Sequence, residues 1–156
     1  WLFYGFIYIS VPLIIFNHVQ SLNNGVNIIL WFLITIFSTD IFSYTFGNLI
    51  KTSKIFPSIS PSKSYSGTIL GIITGSLCGF LFSLKYLYIS NIFCLLFFTI
   101  IISFSGFIGD LLISKLKRFF KVKDSGKSLP GHGGFLDRYD SISFGLIVLF
   151  FLVYYL

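Results

Sequence analysis

Residues 65–109 read YSGTILGIITGSLCGFLFSLKYLYISNIFCLLFFTIIISFSGFIG, a stretch whose one charged residue is Lys85. Lys85 divides the stretch into two apolar runs, 65–84 and 86–109. Each run is about as long as the roughly 20 residues that a helix needs to cross a bilayer. Both runs are continuous and lack the alternation that is typical of membrane β-strands, which favours helices. The sequence therefore predicts a helical membrane protein.

Three further apolar runs extend this pattern, at residues 1–16, 26–46 and 142–156, and Pro12 interrupts the first of them. We therefore predict an all-α, polytopic integral membrane protein with about five transmembrane helices in a single membrane domain over residues 1–156. The composition agrees, because 55% of the residues are hydrophobic and only 10% are charged, with a mean hydropathy of +0.91. A soluble domain carries about 25% charged residues. This composition excludes a soluble globular enzyme and a disordered tail.

The eleven Lys and Arg residues are unevenly distributed over the connections between the apolar runs. With five spans, the connections at 47–64 and 111–140 lie on one side of the membrane, and they hold three and seven of these residues. The positive-inside rule assigns that side to the cytoplasm. The formal charge of +6 also indicates anionic partners such as lipid headgroups or nucleotides. Nucleic acid is not expected as a partner, because the basic residues lie against the membrane.

Glycines recur at every fourth position of the run 65–84, namely at Gly67, Gly71, Gly75 and Gly79. A helix with this spacing has one face without side chains, and another helix can approach that face closely. We expect the partner to be a helix of the same chain, with a homodimer as the alternative.

Two aspartates belong to the apolar runs. Asp40 lies inside the run 26–46, and an Asp at the centre of a bilayer costs roughly 2.5–3.5 kcal/mol, so it is a candidate functional residue. Asp110 ends the run 86–109, and we expect the helix to continue beyond it. One face of that helix would carry Asp110, Ser114, Lys117, Arg118 and Lys121. The stripe has two interpretations: a polybasic helix that binds acidic lipids, or a phosphate site in which Asp110 holds a metal.

Residues 123–140 read KDSGKSLPGHGGFLDRYD. Four glycines and a proline exclude a helix over 126–134, and the glycines allow backbone N–H groups to approach an anion. Asp137 and Asp140 are three residues apart and could share a helical face at the start of the last run, where the helix dipole favours negative groups. Oxygen ligands beside phosphates suit Mg²⁺. The residues thus indicate a metal and phosphate site in a glycine-rich cytoplasmic loop.

The stretch 114–140 resembles the signature of the phosphatidate cytidylyltransferases, also called CDP-diacylglycerol synthases. The resemblance rests on Ser114-Lys-Leu-Lys-Arg, then on Lys123-Asp-Ser-Gly-Lys-Ser-Leu-Pro-Gly-His-Gly-Gly-Phe-Leu-Asp-Arg-Tyr-Asp140, at fixed spacing. A second stretch, with Asp40 followed by Gly47 and by Ser60-Pro-Ser-Lys-Ser64, is similar to two further blocks of that family. The resemblance covers residues 35–156. It implies that the chain is the C-terminal part of such an enzyme and lacks the N-terminal transmembrane helices of the family.

The resemblance implies a nucleotidyltransferase of phospholipid biosynthesis. CTP and phosphatidate would give CDP-diacylglycerol and pyrophosphate, with Mg²⁺ as cofactor. The attacking phosphate monoester is already anionic, so the reaction needs cations and positioning more than a strong base. Such an enzyme would lie in a bacterial inner membrane with its active site facing the cytoplasm.

The resemblance also implies roles for individual residues. Metal ligands would be Asp110 and Asp137, and Asp124 and Asp140 are second choices, either as ligands or as partners that orient Lys and Arg. Catalytic residues would be Asp110, Asp124, Asp137, Lys117, Arg118, His132 and Arg138. Substrate-binding residues would be Lys63, Ser64, Ser114, Lys123, Lys127, Gly133, Gly134 and Asp40. For His132, a phosphate contact is weighed against a loop histidine that stabilises a turn.

Two other functions explain part of the pattern. A transporter fragment could use Asp40 and Asp110 as ion ligands, but it would need polar residues across the membrane, and here they are concentrated on one side. A non-enzymatic protein that binds anionic lipids would explain the charge of +6. It would not explain four glycines beside clustered aspartates.

Overall fold

The computed structural model describes residues 2–87, 91–122 and 136–155, and the side chains at 2–4, 62 and 136–138 lie outside that description. The elements follow the order α1 (Leu2–Gln20), α2 (Gly25–Leu49), β1 (Lys54–Phe56), β2 (Ser60–Ser64), α3 (Tyr65–Tyr86), α4 (Ile92–Phe119) and α5 (Leu136–Val153). The five helices correspond to the five apolar runs. The predicted all-α, polytopic fold class is confirmed.

Three of these helices, α2, α3 and α4, are long and apolar enough to cross a membrane, and α1 and α5 contain shorter apolar stretches. The outer face of α3 fits a bilayer. Ile69, Ile73, Leu77 and Leu81 recur every four residues on it, and each is more than half exposed. A continuous apolar row of this kind is unfavourable in water but costs nothing against lipid chains.

Pro12 lies inside α1 and does not end it, although it interrupts the first apolar run. The ring of Pro12 is fully buried within the bundle. Membrane helices tolerate an internal proline, because packing against neighbouring helices satisfies the freed backbone group. The α1 helix therefore continues to Gln20 and covers one side of the bundle.

The glycine face of α3 packs against α2, which confirms the packing expected within the chain. Small residues of α2, namely Thr35, Thr39, Ser43 and Gly47, lie opposite the four glycines. A methyl group at Gly75 would come within 2.6 Å of the Thr39 Cα, and one at Gly67 within 2.8 Å of the Gly47 Cα. Only glycine permits this separation of the two backbones.

The centre of the bundle is apolar but also contains hydroxyl groups. Trp31 and Phe32 of α2 pack there with Ile102 of α4 and are completely buried. Thr39 of α2 and Ser103 of α4 form a buried polar contact there, with their hydroxyl oxygens 2.7 Å apart. A hydroxyl in an apolar environment needs a hydrogen-bond partner, so this pair helps to set the register of α2 against α4.

The connection at 47–64 contains a short hairpin that the sequence did not predict. Strand β1 pairs antiparallel with β2, with Lys54 opposite Ser64 and Phe56 opposite Ser60. Pro57 follows β1 directly and begins the turn, as its fixed φ favours. The Ser64 hydroxyl then accepts a hydrogen bond from the Gly67 N–H at 3.3 Å and caps α3. The hairpin thereby places Lys63 beside the N-terminus of α3.

Polar contacts bring the hairpin, the end of α4 and the start of α5 to one end of the bundle. The Arg118 Nε donates to the Ile59 carbonyl at 3.2 Å, and the Lys117 Nζ lies 3.0 Å from an Asp140 carboxylate oxygen. At the opposite end, the Asn24 Nδ2 donates to the Tyr86 carbonyl at 3.1 Å. The hairpin and the described ends of the connection 111–140 therefore lie at the same end of the molecule, as the charge distribution predicts.

Candidate active site

A cavity of about 480 Å³ opens where α2, the hairpin, α3, α4 and α5 meet. Its polar wall is formed by Asp40, Lys63, Ser64, Asp110 and Ser141. The remainder includes apolar side chains from α2 and α4, namely Phe37, Ile41, Tyr44 and Phe107. The cavity therefore presents both polar and apolar side chains, which suits an amphiphilic ligand.

An ion pair forms the polar end of this cavity. The Lys63 Nζ lies 2.7 Å from an Asp110 carboxylate oxygen, and the two side chains are 16% and 36% exposed. The same ammonium group is 3.5 Å from the Phe107 carbonyl and 4.4 Å from the centre of the Phe107 ring. A cation above an aromatic face is attracted by the ring quadrupole. Phe107 thus holds the Lys63 charge at the cavity while Asp110 remains open to solvent.

The helix that begins before Asp110 continues to Phe119, as predicted, but its polar stripe does not act as one surface. The Ser114 hydroxyl donates to Asp110 at 3.4 Å and supports that carboxylate. Lys117 and Arg118 turn elsewhere, since Lys117 contacts Asp140 and Arg118 contacts the hairpin, and Lys121 lies beyond the end of α4. The stripe therefore divides between the cavity and the neighbouring elements.

Asp40 faces the same cavity from α2. The Ser141 hydroxyl of α5 donates to its carboxylate at 3.1 Å. The residue is exposed to the cavity even though it lies within an apolar helix. This opening explains how a carboxylate is tolerated inside α2, because the charge retains access to water.

Asp140 has a different environment, although it directly precedes Ser141. It is 1% exposed and lies on the wall of a second cavity of about 500 Å³ between α1, α4 and α5. Lys117 and the Tyr8 hydroxyl contact its carboxylate. The structure therefore brings Asp40, Lys63 and Asp110 together on one cavity and places Asp140 on another.

The sequence model of the cytidylyltransferase family matches residues 1–156, which is the whole chain. The chain belongs to the cytidylyltransferase family. The resemblance inferred from residues 35–156 is therefore confirmed.

Named relatives agree with this assignment to the cytidylyltransferase family. Phosphatidate cytidylyltransferases of Staphylococcus haemolyticus and Staphylococcus aureus strain COL are 41% and 40% identical over 146 residues. The protein of the same name from Staphylococcus epidermidis strain ATCC 12228 is 39% identical over 142 residues. Each comparison covers 91% of this chain and 54% of the relative. The chain thus spans about half the length of the curated relatives that it matches.

The carboxylates on the cavity determine whether the site can hold Mg²⁺. Within residues 2–87, 91–122 and 136–155, no group of three or more His, Cys, Asp or Glu side chains could hold a metal ion. Mg²⁺, however, is commonly held by one or two carboxylates together with substrate phosphates and water. Asp40 and Asp110 offer such oxygen donors to the cavity. The described residues therefore fit a metal that binds together with a phosphorylated substrate.

Part of the predicted site lies outside the described residues. This part consists of Lys123, Asp124, Lys127, His132, Gly133 and Gly134. Asp137 and Arg138 belong to the first turn of α5, and their side chains also lie outside the description. The start of α5 at Leu136 confirms the helix predicted over Asp137 and Asp140. The roles that the family resemblance implies for all these residues stay predictions.

Three contributors to the polar contacts were missed by sequence reasoning. Ser141 and Ser143 follow Asp140 in an otherwise apolar helix, and that interruption is a signal that could have identified them. Tyr8 contacts Asp140 across 132 positions of the chain. No sequence signal distinguishes Tyr8 from the other aromatic residues of α1, because its role depends on which helix packs beside it.

Proposed function

We propose that this chain is part of a phosphatidate cytidylyltransferase, which transfers a cytidylyl group from CTP to phosphatidate and yields CDP-diacylglycerol and pyrophosphate. The Lys63–Asp110 pair carries the proposal. Lys63 belongs to one sequence block of the family resemblance, Asp110 lies just before another, and the two residues meet at 2.7 Å on one cavity. The names of the staphylococcal relatives support the same reaction.

The chemistry of the transfer matches the composition of the cavity. A phosphate oxygen of phosphatidate attacks the α-phosphorus of CTP, and pyrophosphate leaves. Both reactants are strongly anionic, so the main obstacle is their mutual repulsion. Lys63 offers a fixed positive charge, and the N-terminus of α3 adds the partial positive charge of the helix dipole beside Ser64. These groups reduce the repulsion and orient the phosphates.

We include Mg²⁺ in the proposal. Asp110 and Asp137 would hold it, and Asp40 lies on the same cavity as Asp110. When bound, Mg²⁺ neutralises phosphate charge and orients the reacting groups. Lys63 can then exchange its contact with Asp110 for a contact with a substrate phosphate, because the pair is partly exposed. Ser114 would hold Asp110 in place during this exchange.

The mixed lining of the cavity also supports a lipid substrate. Phosphatidate is bound to the bilayer, whereas CTP is soluble, so their site must lie where lipid meets water. Phe37, Ile41 and Phe107 provide apolar contacts beside the ion pair. We place this site at the cytoplasmic face of a bacterial inner membrane. A homodimer stays a prediction, and it would need a surface other than the glycine face of α3, which α2 covers.

An assay of the complete natural protein in membranes tests the proposal. Radiolabelled CTP, phosphatidate and Mg²⁺ should yield labelled CDP-lipid and pyrophosphate. Asp137→Asn should abolish this product while membrane insertion is retained. Lys85→Ala is the control, because Lys85 lies in the last turn of α3, at the end of that helix away from the cavity. Absence of labelled lipid with the natural protein, or normal turnover by Asp137→Asn, would contradict the proposal.

A second experiment separates the enzyme from a protein that only binds anionic lipid. The order of residues 123–135 is scrambled with its charge unchanged. A cytidylyltransferase should lose turnover, because its glycines and charged groups leave their positions. A protein that binds lipid only through net charge should keep its affinity for anionic vesicles and show no turnover before or after the change.

A further inference from the structure

Asp140 is a buried carboxylate whose two oxygens are both engaged. One oxygen lies 3.0 Å from the Lys117 Nζ, and the other accepts a hydrogen bond from the Tyr8 hydroxyl at 3.3 Å. The Asp140 side chain is 2% exposed and that of Lys117 is 15% exposed. A buried charge is tolerated only when it is paired and hydrogen-bonded. Lys117 and Tyr8 together meet this requirement.

The Tyr8 hydroxyl is itself held in place. The Ser143 hydroxyl donates to it at 2.6 Å and lies 3.1 Å from the Asp140 carbonyl oxygen. Tyr8 belongs to α1, Lys117 to α4, and Asp140 to α5. The contacts therefore join three helices that are distant in sequence. The surrounding cavity wall is apolar, with Leu112 and Phe144 among its members, which strengthens the electrostatic contacts.

The same network adjoins the candidate active site on both α4 and α5. Lys117 lies seven residues, or about two turns, beyond Asp110 on α4. Asp140 directly precedes Ser141, which contacts Asp40 in the cavity. A shift of α5 against α4 would therefore move the serine away from Asp40. Holding Lys117 against Asp140 keeps both walls of the cavity in register.

We propose that Tyr8, Lys117 and Asp140 form a positioning clamp for the transfer reaction, and that Asp140 acts through this clamp instead of ligating metal. The inference rests on the proposed function of the cavity, because its kinetic consequence is measured on that reaction. Of the two roles predicted for Asp140, it selects the partner that orients a lysine over the metal ligand, and it revises the catalytic role predicted for Lys117. It also adds Tyr8, which lies outside the sequence blocks of the family resemblance.

Kinetics of the complete natural protein test the clamp. Asp140→Asn and Tyr8→Phe should each lower kcat. For Tyr8→Phe we expect about a tenfold loss, because the hydrogen bond from the Tyr8 hydroxyl to a charged acceptor is removed. The Mg²⁺ concentration for half-maximal activity should stay within about twofold of wild type, because the metal ligands are unchanged. Lys117→Arg should retain more activity than Lys117→Met, since it preserves the charge that pairs with Asp140.

Tyr155→Phe is the matched control, because Tyr155 is exposed beyond the end of α5. It should leave kcat unchanged. A large rise in the Mg²⁺ requirement of Asp140→Asn would overturn the clamp and restore Asp140 as a ligand. Equal kcat for Tyr8→Phe and Tyr155→Phe would remove Tyr8 from the clamp.

Thermal unfolding in detergent provides a test that is independent of turnover. Tyr8→Phe and Asp140→Asn should each lower the midpoint, and the double variant should lower it by less than the sum, because the two residues share one contact. Additive shifts would refute the contact. An inactive natural protein that still shows this coupling would refute the proposed reaction and leave the clamp as a structural contact.

Discussion

The described residues include two lysine–aspartate pairs that involve α4, and the pairs differ in burial. In the pair Lys63–Asp110 the side chains are 16% and 36% exposed, and the pair forms the wall of an open cavity. In the pair Lys117–Asp140 they are 15% and 2% exposed, and Tyr8 adds a further contact. Their N–O distances, 2.7 and 3.0 Å, are similar. The N–O distance alone thus does not show which ion pair can exchange partners and which is fixed by its buried contacts.

The difference follows from what each carboxylate would meet if its lysine left. Asp110 would be solvated through the cavity, so its lysine can move to a substrate phosphate at small cost. Asp140 would lose its charged partner in an apolar environment, which is strongly unfavourable. We therefore assign chemistry to the open pair and positioning to the buried pair. Four experiments test this contrast.

The largest expected effect is on stability, at the buried pair. Asp140→Asn should lower the free energy of unfolding by about 3–5 kcal/mol, because it removes a buried carboxylate that pairs with Lys117 and accepts a hydrogen bond from Tyr8. Chemical denaturation in detergent measures this quantity. The double variant Asp140→Asn with Lys117→Met should recover part of the loss. A loss below about 1 kcal/mol would contradict the burial of this pair.

The second effect is on catalysis, at the open pair. Asp110→Asn should lower CTP-dependent lipid synthesis at least about a hundredfold, which corresponds to roughly 2.7 kcal/mol in the barrier. Its free energy of unfolding should change by less than about 1 kcal/mol, since Asp110 is partly exposed and the Lys63 ammonium keeps its contacts with the Phe107 carbonyl and ring. The assay uses radiolabelled CTP with the complete natural protein. If Asp110→Asn loses its fold as well as its activity, the proposed difference in role between the two ion pairs is wrong.

The third effect is on substrate use. Lys63→Ala should weaken use of the anionic substrates by about tenfold in kcat/KM, while the reaction should remain dependent on Mg²⁺. Lys85→Ala serves as the control, because Lys85 lies near the end of α3 that is remote from the cavity. Equal kinetics for the two variants would make Lys63 a simple interfacial anchor.

The smallest effect is expected at Ser141, which donates to Asp40. Ser141→Ala should cost about 1 kcal/mol or less in the free energy of unfolding, because Asp40 can be hydrated from the cavity. Ser143→Ala should cost more, since the Tyr8 hydroxyl would lose its 2.6 Å partner in a buried network. Paired unfolding curves decide the order. The reverse order would contradict the proposed difference between the two faces of α5.

Much of the fold could be predicted because its signals are local. Long apolar runs produced helices at the expected places, and the spacing of four between Gly67 and Gly71 predicted the close approach of another helix. The hairpin was missed, since β1 has three residues and its register depends on pairing with β2. Pro12 did not end α1, because packing stabilises the helix around it.

The candidate site shows the same division. The spacing of Lys63 and Asp110 in the chain contains no information on their distance, although their residue types identified both as candidates. Sequence reasoning grouped Asp110 with Lys117 on one helical face. In the structure, Lys117 pairs with Asp140 of α5. Helical periodicity predicts which residues share a face but not which neighbouring helix each of them meets.

By itself the sequence determined that the chain is helical, apolar and basic at one end, because composition and periodicity report how each segment meets water or lipid. It also contained the motifs that place the chain in its family. Only the tertiary structure decided that Asp110 is open and Asp140 is buried. Burial depends on the packing of several helices at once, and two aspartates of the same chemistry acquire different roles when one keeps contact with water and the other loses it.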